Sequence, residues 1–298
     1  MTSARTSLST NLRTNLRTSL RRARPLLGTI VDVRATGSEV APGAVAAAFA
    51  AVERVHRLMS AHDRGSDVSR INRADAGACV EIDPWTHEVL RHAKTVHQAT
   101  DGLFDCAVAH VLSRAGYLPE IGREGDEDGF GNLHDLELCT RSRVRLRRRL
   151  RITLDGIAKG YAVDRAVDAL RAGGVERGVV NAGGDLRVFG EAFEPVHVRH
   201  PGAPGLLLEL GSFREAAVAS SAAYFSRSEL DGRAISPLVD PRTLECCNPL
   251  GAVSVIAETC VLADALTKPL LVDPQRAGAL ATKLGARAVF IDANGTMQ

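Results

Sequence analysis

The chain has 298 residues, of which 45% are hydrophobic and 24% are charged, and its formal net charge at pH 7 is +2. This composition is typical of a globular protein, and so small a net charge gives no support to a nucleic-acid-binding or membrane-surface role. No run of about 18 apolar residues occurs, so the sequence predicts no transmembrane helix.

Residues 1–25 are rich in Arg, Ser and Thr and contain no acidic residue. They lack the apolar core of about 7–15 residues that a secretory signal peptide needs. We therefore interpret 1–25 as a disordered tail and 26–298 as the folded domain, with an export or targeting tail as the alternative. A cytoplasmic location is expected, and a periplasmic one stays open. The cysteines form no CxxC pair, and mostly reduced thiols fit a reducing compartment.

The first half of the domain mixes strands, helices and polar loops. A strand is predicted after Pro25, and a helix over 42–60, where apolar residues from Val45 to Met59 recur on one helical face. Residues 61–73 are predicted as a polar loop, and Asp83-Pro84 opens a second helix that stops near Gly102. Residues 118–137 are polar and acidic and predict a surface loop, which an alternating strand over 143–154 follows.

The second half begins with a helix predicted from about Ile157 to Leu170 and ended by Gly173-Gly174. Two strands joined by a tight turn come next, followed by short strands at 196–199, 206–210, 216–219 and 252–257. A helix beginning near Thr259 and another over about 274–284 precede a last strand over 286–291. Short strands clustered between helices, with hairpin turns, predict an α+β fold with mixed or antiparallel sheets and packed helices.

The usual nucleotide-binding signatures are missing, since neither G-x-G-x-x-G after the first strand nor a GK[ST] phosphate loop occurs. Gly156 and Gly160 instead flank a helix start, where unpaired N–H groups and the positive end of the helix dipole favour a phosphate. Lys159 lies in that first turn, within reach of a pyrophosphate. An exposed lysine on an ordinary helix cap is the alternative. The segment from Asn181 to Asp185 fits a plain hairpin turn or a close approach to a ligand equally well.

A set of motifs in a fixed order carries a resemblance. They are Leu27-Gly28-Thr29, Met59-Ser60 with Ser66 to Asn72, Asp101 to Asp105, Asp155 to Asp164, Asn181 to Asp185, Val218 to Ser221, Val239 to Thr243 and Ala263 to Leu266. From about residue 25 to residue 290 the sequence resembles the FAD:protein FMN transferase (ApbE-like) family. The resemblance implies an ApbE-like fold and an enzyme that binds FAD and, with a magnesium ion, breaks its pyrophosphate. The FMN half is then joined to a threonine or serine hydroxyl of a target flavoprotein.

The resemblance also implies roles for single residues. Asp264 is an expected catalytic residue. Lys268 is assigned a catalytic role beside it by our own hypothesis, since the family usually has another residue at that position. The metal-site positions fall on the backbone carbonyl of Gly156 and the carboxylate of Asp264, oxygen ligands that suit magnesium. His62 falls where the family often has a tyrosine that stacks on the isoalloxazine, and an imidazole can stack there too. The remaining FAD-contact positions fall on Leu27, Leu103, Phe104, Asp105, Lys159 and Val239.

The sequence departs from the family pattern at three positions that bear on chemistry. Thr153 stands where an aspartate is usual, Pro237 where a histidine is usual, and Lys268 where a metal-binding threonine is usual. Three alternatives stay open for Lys268: its ammonium partly replaces magnesium beside Asp264, magnesium is retained with water ligands, or the lysine is structural in a weakened site. Pro269 is expected to kink or end its helix.

FMN transfer from FAD to a protein hydroxyl is the leading hypothesis for the function. FAD pyrophosphate hydrolysis at the same site is a close alternative. A non-catalytic flavin-binding or assembly protein is an alternative from another class, which the changes at Thr153, Pro237 and Lys268 favour and the retained Lys159 and Asp264 oppose. No role in nucleic-acid binding is expected, because the basic residues form no recognisable folded patch.

Overall fold

The computed structural model of the chain describes residues 18–37, 40–120, 129–140, 142–222, 228–230 and 232–298. The helices, in chain order, are α1 Pro42–Met59, α2 Asp67–Arg73, α3 Pro84–Ala99, α4 Ala109–Arg114, α5 Ala158–Ala172, α6 Cys260–Val272 and α7 Pro274–Lys283. The strands are β1 Thr18–Leu26, β2 Thr29–Gly37, β3 Cys79–Glu81, β4 Leu136–Cys139, β5 Arg143–Leu146, β6 Arg177–Ala182, β7 Asp185–Phe189, β8 Glu194–His200, β9 Ala203–Phe213, β10 Ala216–Ala222, β11 Ser228–Leu230, β12 Arg233–Ile235, β13 Leu238–Asp240, β14 Glu245–Cys247, β15 Ala252–Ala257 and β16 Arg287–Ile291.

Seven strands form one antiparallel sheet in the order β1-β2-β6-β7-β10-β15-β16. Along β10, Ala217 and Ala219 face the main core with the helices, whereas Val218 packs in a smaller cluster with Val188 and Val196. Because neighbouring side chains of a strand point to opposite faces, the helices cover one face of the sheet and the β8–β9 hairpin covers the other. The α+β prediction with antiparallel sheets is confirmed.

The helix predicted over 42–60 is confirmed as α1, and its apolar stripe is the reason that it forms. Val45, Phe49, Val52, Val55 and Met59 are buried on the face that contacts the core. Each such side chain contributes about 1.5–3 kcal/mol when it is fully removed from water. The helices predicted at Asp83-Pro84 and after Ile157 are confirmed as α3 and α5. Among the described residues, no helix is long and apolar enough to cross a membrane.

The boundary predicted at residue 25 is wrong for the residues just before it. Residues 18–25 belong to β1, which pairs with β2 from Thr18 opposite Gly37 to Leu26 opposite Thr29. Charged side chains on an edge strand discourage pairing with another chain, and the arginines of β1 fit that role. The rest of the predicted tail, residues 1–17, lies outside the described residues.

Two further predictions are wrong for reasons of local context. Residues 61–73 are not a loop throughout, because Ser66 caps α2 by accepting the N–H of Ser69 at 3.0 Å, and Val68 and Ile71 are fully buried. The strand predicted over 143–154 ends at Leu146. Beyond it the backbone of residues 149–153 bonds to loops and helix ends, such as Thr153 N–H to the backbone oxygen of Cys106, rather than to a neighbouring strand.

Pro269 does not end its helix, which continues to Val272. The buried side chains of Leu266 and Leu270 hold α6 in the core on both sides of the proline. Their burial outweighs the loss of one backbone donor. The loop predicted over 118–137 gives way to β4 at Leu136, and residues 121–128 of it lie outside the described part of the chain.

Candidate active site

A cleft of about 490 Å³ opens between the start of α5, the second half of α6, the β13–β14 hairpin and the segment that joins α3 to α4. Most of the residues predicted for the site line this cleft: Leu103, Phe104, Asp105, Gly156, Lys159, Val239 and Lys268. Asp264 is fully buried directly behind the wall that Lys159 and Lys268 form. Segments more than 100 residues apart in the chain therefore meet at one place.

The turn after α3 brings apolar side chains into the cleft. Asp101 and Gly102 adopt positive φ values of 52° and 79°, and the N–H of Phe104 donates to Oγ1 of Thr100 at 3.0 Å. This left-handed pair reverses the chain, a conformation that glycine adopts without strain. Leu103 and Phe104, both almost fully buried, then form an apolar wall of the cleft.

Asp105, next in the chain, organises this wall. One of its carboxylate oxygens accepts the N–H of Ala107 at 2.7 Å and the other accepts the N–H of Leu133 at 3.2 Å. Burial disfavours the charged form of each group. It therefore raises the pKa of Asp105 in spite of these bonds and lowers the pKa of the neighbouring His97. The carboxylate thus fixes two loops.

Helices α5 and α6 cap each other at their N-termini. Oδ2 of Asp264, on α6, accepts the N–H of Gly160 in the first turn of α5 at 3.0 Å. In return Asp164, on α5, accepts the N–H groups of Cys260 and Val261 at 3.0 and 2.9 Å. Carboxylates are favourable at helix N-termini because they satisfy unpaired donors and meet the positive end of the dipole.

Gly160 makes this approach of the two helices possible. A Cβ atom at position 160 would lie 2.2 Å from the backbone oxygen of Cys260 and 2.8 Å from Cβ of Asp264. Because the first of these neighbours is backbone, no rotation of a side chain could relieve the overlap. A glycine is therefore required where α5 passes the start of α6.

Two lysines and two aspartates form a charge cluster at the cleft wall. Nζ of Lys159 lies 2.6 Å from Oδ2 of Asp185 and 3.9 Å from Oδ1 of Asp264. Nζ of Lys268 donates to Oδ1 of Asp264 and, at 2.9 Å, to its backbone oxygen. Both carboxylates are buried, whereas the side chains of Lys159 and Lys268 are 32% and 24% exposed. The positive charges thus face the cleft and the negative charges hold them from behind.

The proton affinities within the cluster follow from this arrangement. Burial is the largest influence on Lys159, but the carboxylates of Asp185 and Asp264 outweigh it and raise the pKa of Lys159 above its ordinary value. At Asp264, the ammonium groups of Lys159 and Lys268 outweigh burial and lower the pKa. Burial, together with the charge of Asp264, raises the pKa of Asp185. Lys159 and Asp264 are therefore charged at neutral pH.

The magnesium site implied for Gly156 and Asp264 can be tested on the carboxylate of Asp264. Oδ1 accepts from Lys268 and Oδ2 accepts from Gly160, so both oxygens are engaged. Magnesium requires a near-octahedral set of oxygen ligands. No group of three His, Cys, Asp or Glu side chains in the described ranges could hold a metal ion. In this arrangement the residues do not fit a magnesium ion. Lys268 would have to break its hydrogen bond to Oδ1 of Asp264 before that oxygen could bind one.

Two predicted FAD contacts are not among the residues that line the cleft. Leu27 lies in the turn between β1 and β2 with a φ of 54°, and its side chain packs on the core. His62 is exposed after α1, although its neighbour Ala61 packs against the apolar cluster that contains Val108 and Val239. Both contacts stay predictions.

Several residues outside the predicted set contribute to the site. Asp185 accepts a hydrogen bond from Lys159. Its position directly after the turn of Gly183 and Gly184 is the sequence feature that points to it. Asp155 lines the cleft with an exposed carboxylate that has no hydrogen-bond partner among the described residues. Asn72, on α2, bonds the backbone of Ile152 through both ends of its amide, at 2.9 and 2.7 Å. It thereby positions the extended segment that carries Thr153 into the cleft.

Comparison with known proteins shows the family of the chain. The model of the ApbE family matches residues 27–290. The chain belongs to the ApbE family. It is 27% identical over 281 residues to a protein of Rhodobacter capsulatus named FAD:protein FMN transferase, an alignment that covers 89% of this chain and 54% of the relative. It is 26% identical over 244 residues to a Vibrio cholerae protein of the same name, with 76% and 72% covered.

Solved ApbE structures share the fold. The ApbE protein of Thermotoga maritima superposes with a TM-score of 0.82 at 26% identity, over 94% of this chain and 96% of that one. The apo flavinyl transferase ApbE of Pseudomonas stutzeri gives a TM-score of 0.80 at 24% identity, over 94% and 93%. The cleft of the present chain is lined by Thr153, Pro237 and Lys268, three of the positions at which we expect its sequence to depart from the family pattern.

Proposed function

We propose that this chain transfers the FMN moiety of FAD to a threonine or serine hydroxyl of an acceptor flavoprotein. The observation that carries the proposal is the pair of ammonium groups, Lys159 and Lys268, on the cleft wall beside the start of α5. Two ammonium groups on one wall of a cleft are suited to a diphosphate, because each can donate charge-assisted hydrogen bonds to phosphate oxygens. The relatives named FAD:protein FMN transferase support the same activity.

The apolar part of the cleft suits the rings of FAD. Leu103, Phe104 and Val239 line it, and Tyr117 adds a second aromatic ring. Aromatic and branched side chains bind flat rings by burying their faces. His62 and Leu27 belong to this proposal as outer contacts to the bound flavin. The diphosphate then lies against the lysines.

The reaction is a substitution at the phosphorus on the flavin side of the diphosphate. The acceptor hydroxyl oxygen forms a bond to this phosphorus, the bridging P–O bond breaks, and AMP leaves with the bonding electrons. Lys159 and Lys268 stabilise the negative charge that gathers on the leaving phosphate. We assign no step to a magnesium ion, because Lys268 and Gly160 already engage the carboxylate that would bind it.

The proton of the acceptor hydroxyl requires a base, and Pro237 cannot provide one. The carboxylates that line the cleft are those of Asp105 and Asp155. Asp105 uses both oxygens to accept backbone N–H groups, whereas Asp155 is exposed and unengaged among the described residues. We therefore assign proton acceptance to Asp155.

The proposal is tested by incubating the purified chain with FAD and a flavoprotein encoded beside it, followed by intact-mass measurement of both proteins. Transfer adds one FMN to the acceptor, releases one AMP and fails when the acceptor hydroxyl residue is changed to alanine. Release of free FMN and AMP without a gain in acceptor mass would show hydrolysis instead. Tight binding of FAD with no product would indicate a non-catalytic binding protein. The cytoplasmic location stays a prediction that cell fractionation would test.

A further inference from the structure

The carboxylate of Asp264 is already paired with a positively charged side chain, that of Lys268. Lys268 lies one helical turn after Asp264 on α6, and its Nζ donates both to Oδ1 and to the backbone oxygen of Asp264. Asp264 is fully buried, and a buried carboxylate without a partner would be strongly destabilising. The ammonium of Lys268 therefore stabilises the buried carboxylate of Asp264 in the folded chain.

The other oxygens near Asp264 are also engaged. Gly160 donates to Oδ2 of Asp264. The hydroxyl of Thr267 is fully buried, donates to the backbone oxygen of Asp264 at 2.8 Å and lies 2.9 Å from Oγ of Ser221. A divalent ion at this place would have to displace an ammonium, a backbone donor or a buried hydroxyl bond.

The absence of a side chain at Gly156 leaves room for the stem of Lys268 beside the cleft. A Cβ atom at position 156 would lie 3.2 Å from Cε and 3.6 Å from Cδ of Lys268, so the stem of the lysine packs closely over this glycine. An ammonium group has three donors. Asp264 takes two of those of Lys268, and the lysine side chain, which is 24% exposed, is part of the cleft lining.

We propose that Lys268 is a built-in counter-charge for the diphosphate of FAD, so that this chain binds FAD without a divalent cation. The diphosphate carries two negative charges. The cluster of two lysines and two aspartates is formally neutral, but only its ammonium groups line the cleft, so a diphosphate there meets hydrogen-bond donors rather than carboxylates. Asp185 and Asp264, buried behind them, keep both ammonium groups in place. This inference rests on the proposed function, because it takes FAD as the ligand of the cleft.

The experiment measures the dissociation constant of FAD by its fluorescence, in EDTA and in millimolar magnesium, for the wild type and for Lys268→Thr. The wild type binds FAD equally well in both buffers. Lys268→Thr loses about ten- to a hundredfold in affinity in EDTA, the range of one charge-assisted hydrogen bond. The same variant regains affinity with magnesium, because the change frees Oδ1 of Asp264 and adds a hydroxyl oxygen. Lys283→Thr, at an exposed lysine at the end of α7, is the matched control and behaves as the wild type.

Manganese binding, followed by its electron paramagnetic resonance signal in the presence of FAD, gives an independent measurement. Only Lys268→Thr binds the ion. The proposal is overturned if the wild type loses FAD affinity in EDTA and regains it with magnesium, or if Lys268→Thr binds FAD as tightly as the wild type in EDTA. Lys268→Gln, which keeps the length of the stem and removes the charge, replaces the threonine variant if that one does not fold. It also loses affinity in EDTA.

The FMN-transfer assay in the same two buffers separates this inference from the proposed function. If the wild type modifies the acceptor only when magnesium is present, the counter-charge role fails and the transferase function stands. If FAD binds tightly in EDTA but neither buffer yields a modified acceptor, the counter-charge role stands and the transferase function fails.

Discussion

Asp155 differs from Asp105, Asp185 and Asp264 in having a carboxylate that no other described residue engages. The three engaged carboxylates accept hydrogen bonds from loops, lysines and a helix end, and these bonds hold the site in shape. A proton acceptor must instead be able to contact an incoming hydroxyl. At the scale of single residues, exposure and engagement thus divide the aspartates of the site into two kinds.

We expect Asp155→Asn to lower the rate of FMN transfer by about a hundredfold or more, the usual loss when a general base is removed. The affinity for FAD should stay close to that of the wild type, because the amide keeps the size of the carboxylate and the lysines are untouched. Single-turnover rates and FAD titrations measure the two quantities. Asp75→Asn changes an exposed aspartate outside the cleft and should leave both unchanged. A transfer rate within a few fold of the wild type would remove Asp155 from the mechanism.

Leu244 is a second residue whose conformation is informative. It ends the turn between β13 and β14 with a φ of 57°, in the left-handed region that costs a branched side chain about 1 kcal/mol. We expect Leu244→Gly to raise the free energy of unfolding by about 0.5 kcal/mol, since part of the relief is offset by the greater freedom of glycine in the unfolded chain. Urea denaturation measures it. Leu250→Gly, at an exposed leucine with an ordinary negative φ, should give no gain.

At the scale of elements, the site depends on the contact between α5 and α6. Each helix carries a buried aspartate that accepts N–H groups from the first turn of the other, Asp264 for Gly160 and Asp164 for Cys260 and Val261. Asp164 also pairs with Arg187 of β7 at 2.7 Å. The two helix starts are thereby held together on the sheet. Because Lys159 lies on α5 and Lys268 on α6, this contact also sets the positions of the two lysines at the cleft.

Gly160→Ala should break this contact, because the new Cβ would overlap the backbone oxygen of Cys260. We expect a loss of about 1–3 kcal/mol in the free energy of unfolding, the usual cost of overpacking, and weaker FAD binding because Asp264 must shift. Gly278→Ala is the matched control: it lies inside α7 with nothing within 4 Å of a Cβ, and it should gain about 0.5–1 kcal/mol. Equal stabilities for the two variants would contradict the close packing of α5 on α6.

At the scale of the whole molecule, buried titratable groups connect the stability of the fold to pH. His110 lies on α4 beside the ring of Phe130, at 4.9 Å between ring centroids, and its Nδ1 is buried without a partner among the described residues. Burial, with Arg114 and Arg151 adding to it, lowers the pKa of His110 to about 4. The unfolded chain takes up the proton near the ordinary value of 6.5, so stability is present above pH 6.5 and lost as the pH falls towards 4.

We expect the wild type to lose about 1 kcal/mol more than His110→Gln between pH 7 and pH 5, allowing for the partly exposed position of the ring. Denaturant unfolding at the two pH values measures the difference, since the glutamine side chain does not titrate. His56→Gln, at an exposed imidazole on α1, should keep the slope of the wild type. Parallel slopes for all three proteins would show that His110 takes up its proton as readily when folded as when unfolded.

Much of the secondary structure could be predicted from local signals. The apolar stripe of α1, the Asp83-Pro84 start of α3 and the glycines that end α5 are each contained within one segment, and each prediction is confirmed. The pattern does not predict helix α2, because Val68 and Ile71 are the only apolar residues on its buried side, which otherwise carries polar side chains. The end of β5 was missed because the residues after it alternate like a strand but bond to loops.

The motifs typical of the ApbE family, the positions of the few lysines and the identities of Thr153, Pro237 and Lys268 can be read from the sequence alone, because they are properties of residue identity and order. The folded structure was needed to show that Lys268 engages Asp264, that Asp264 caps α5 across 104 residues of chain, and that Leu27 and His62 are not among the residues lining the cleft. The physical reason is that hydrogen-bond partners and burial depend on how distant segments pack, and no local pattern specifies that packing.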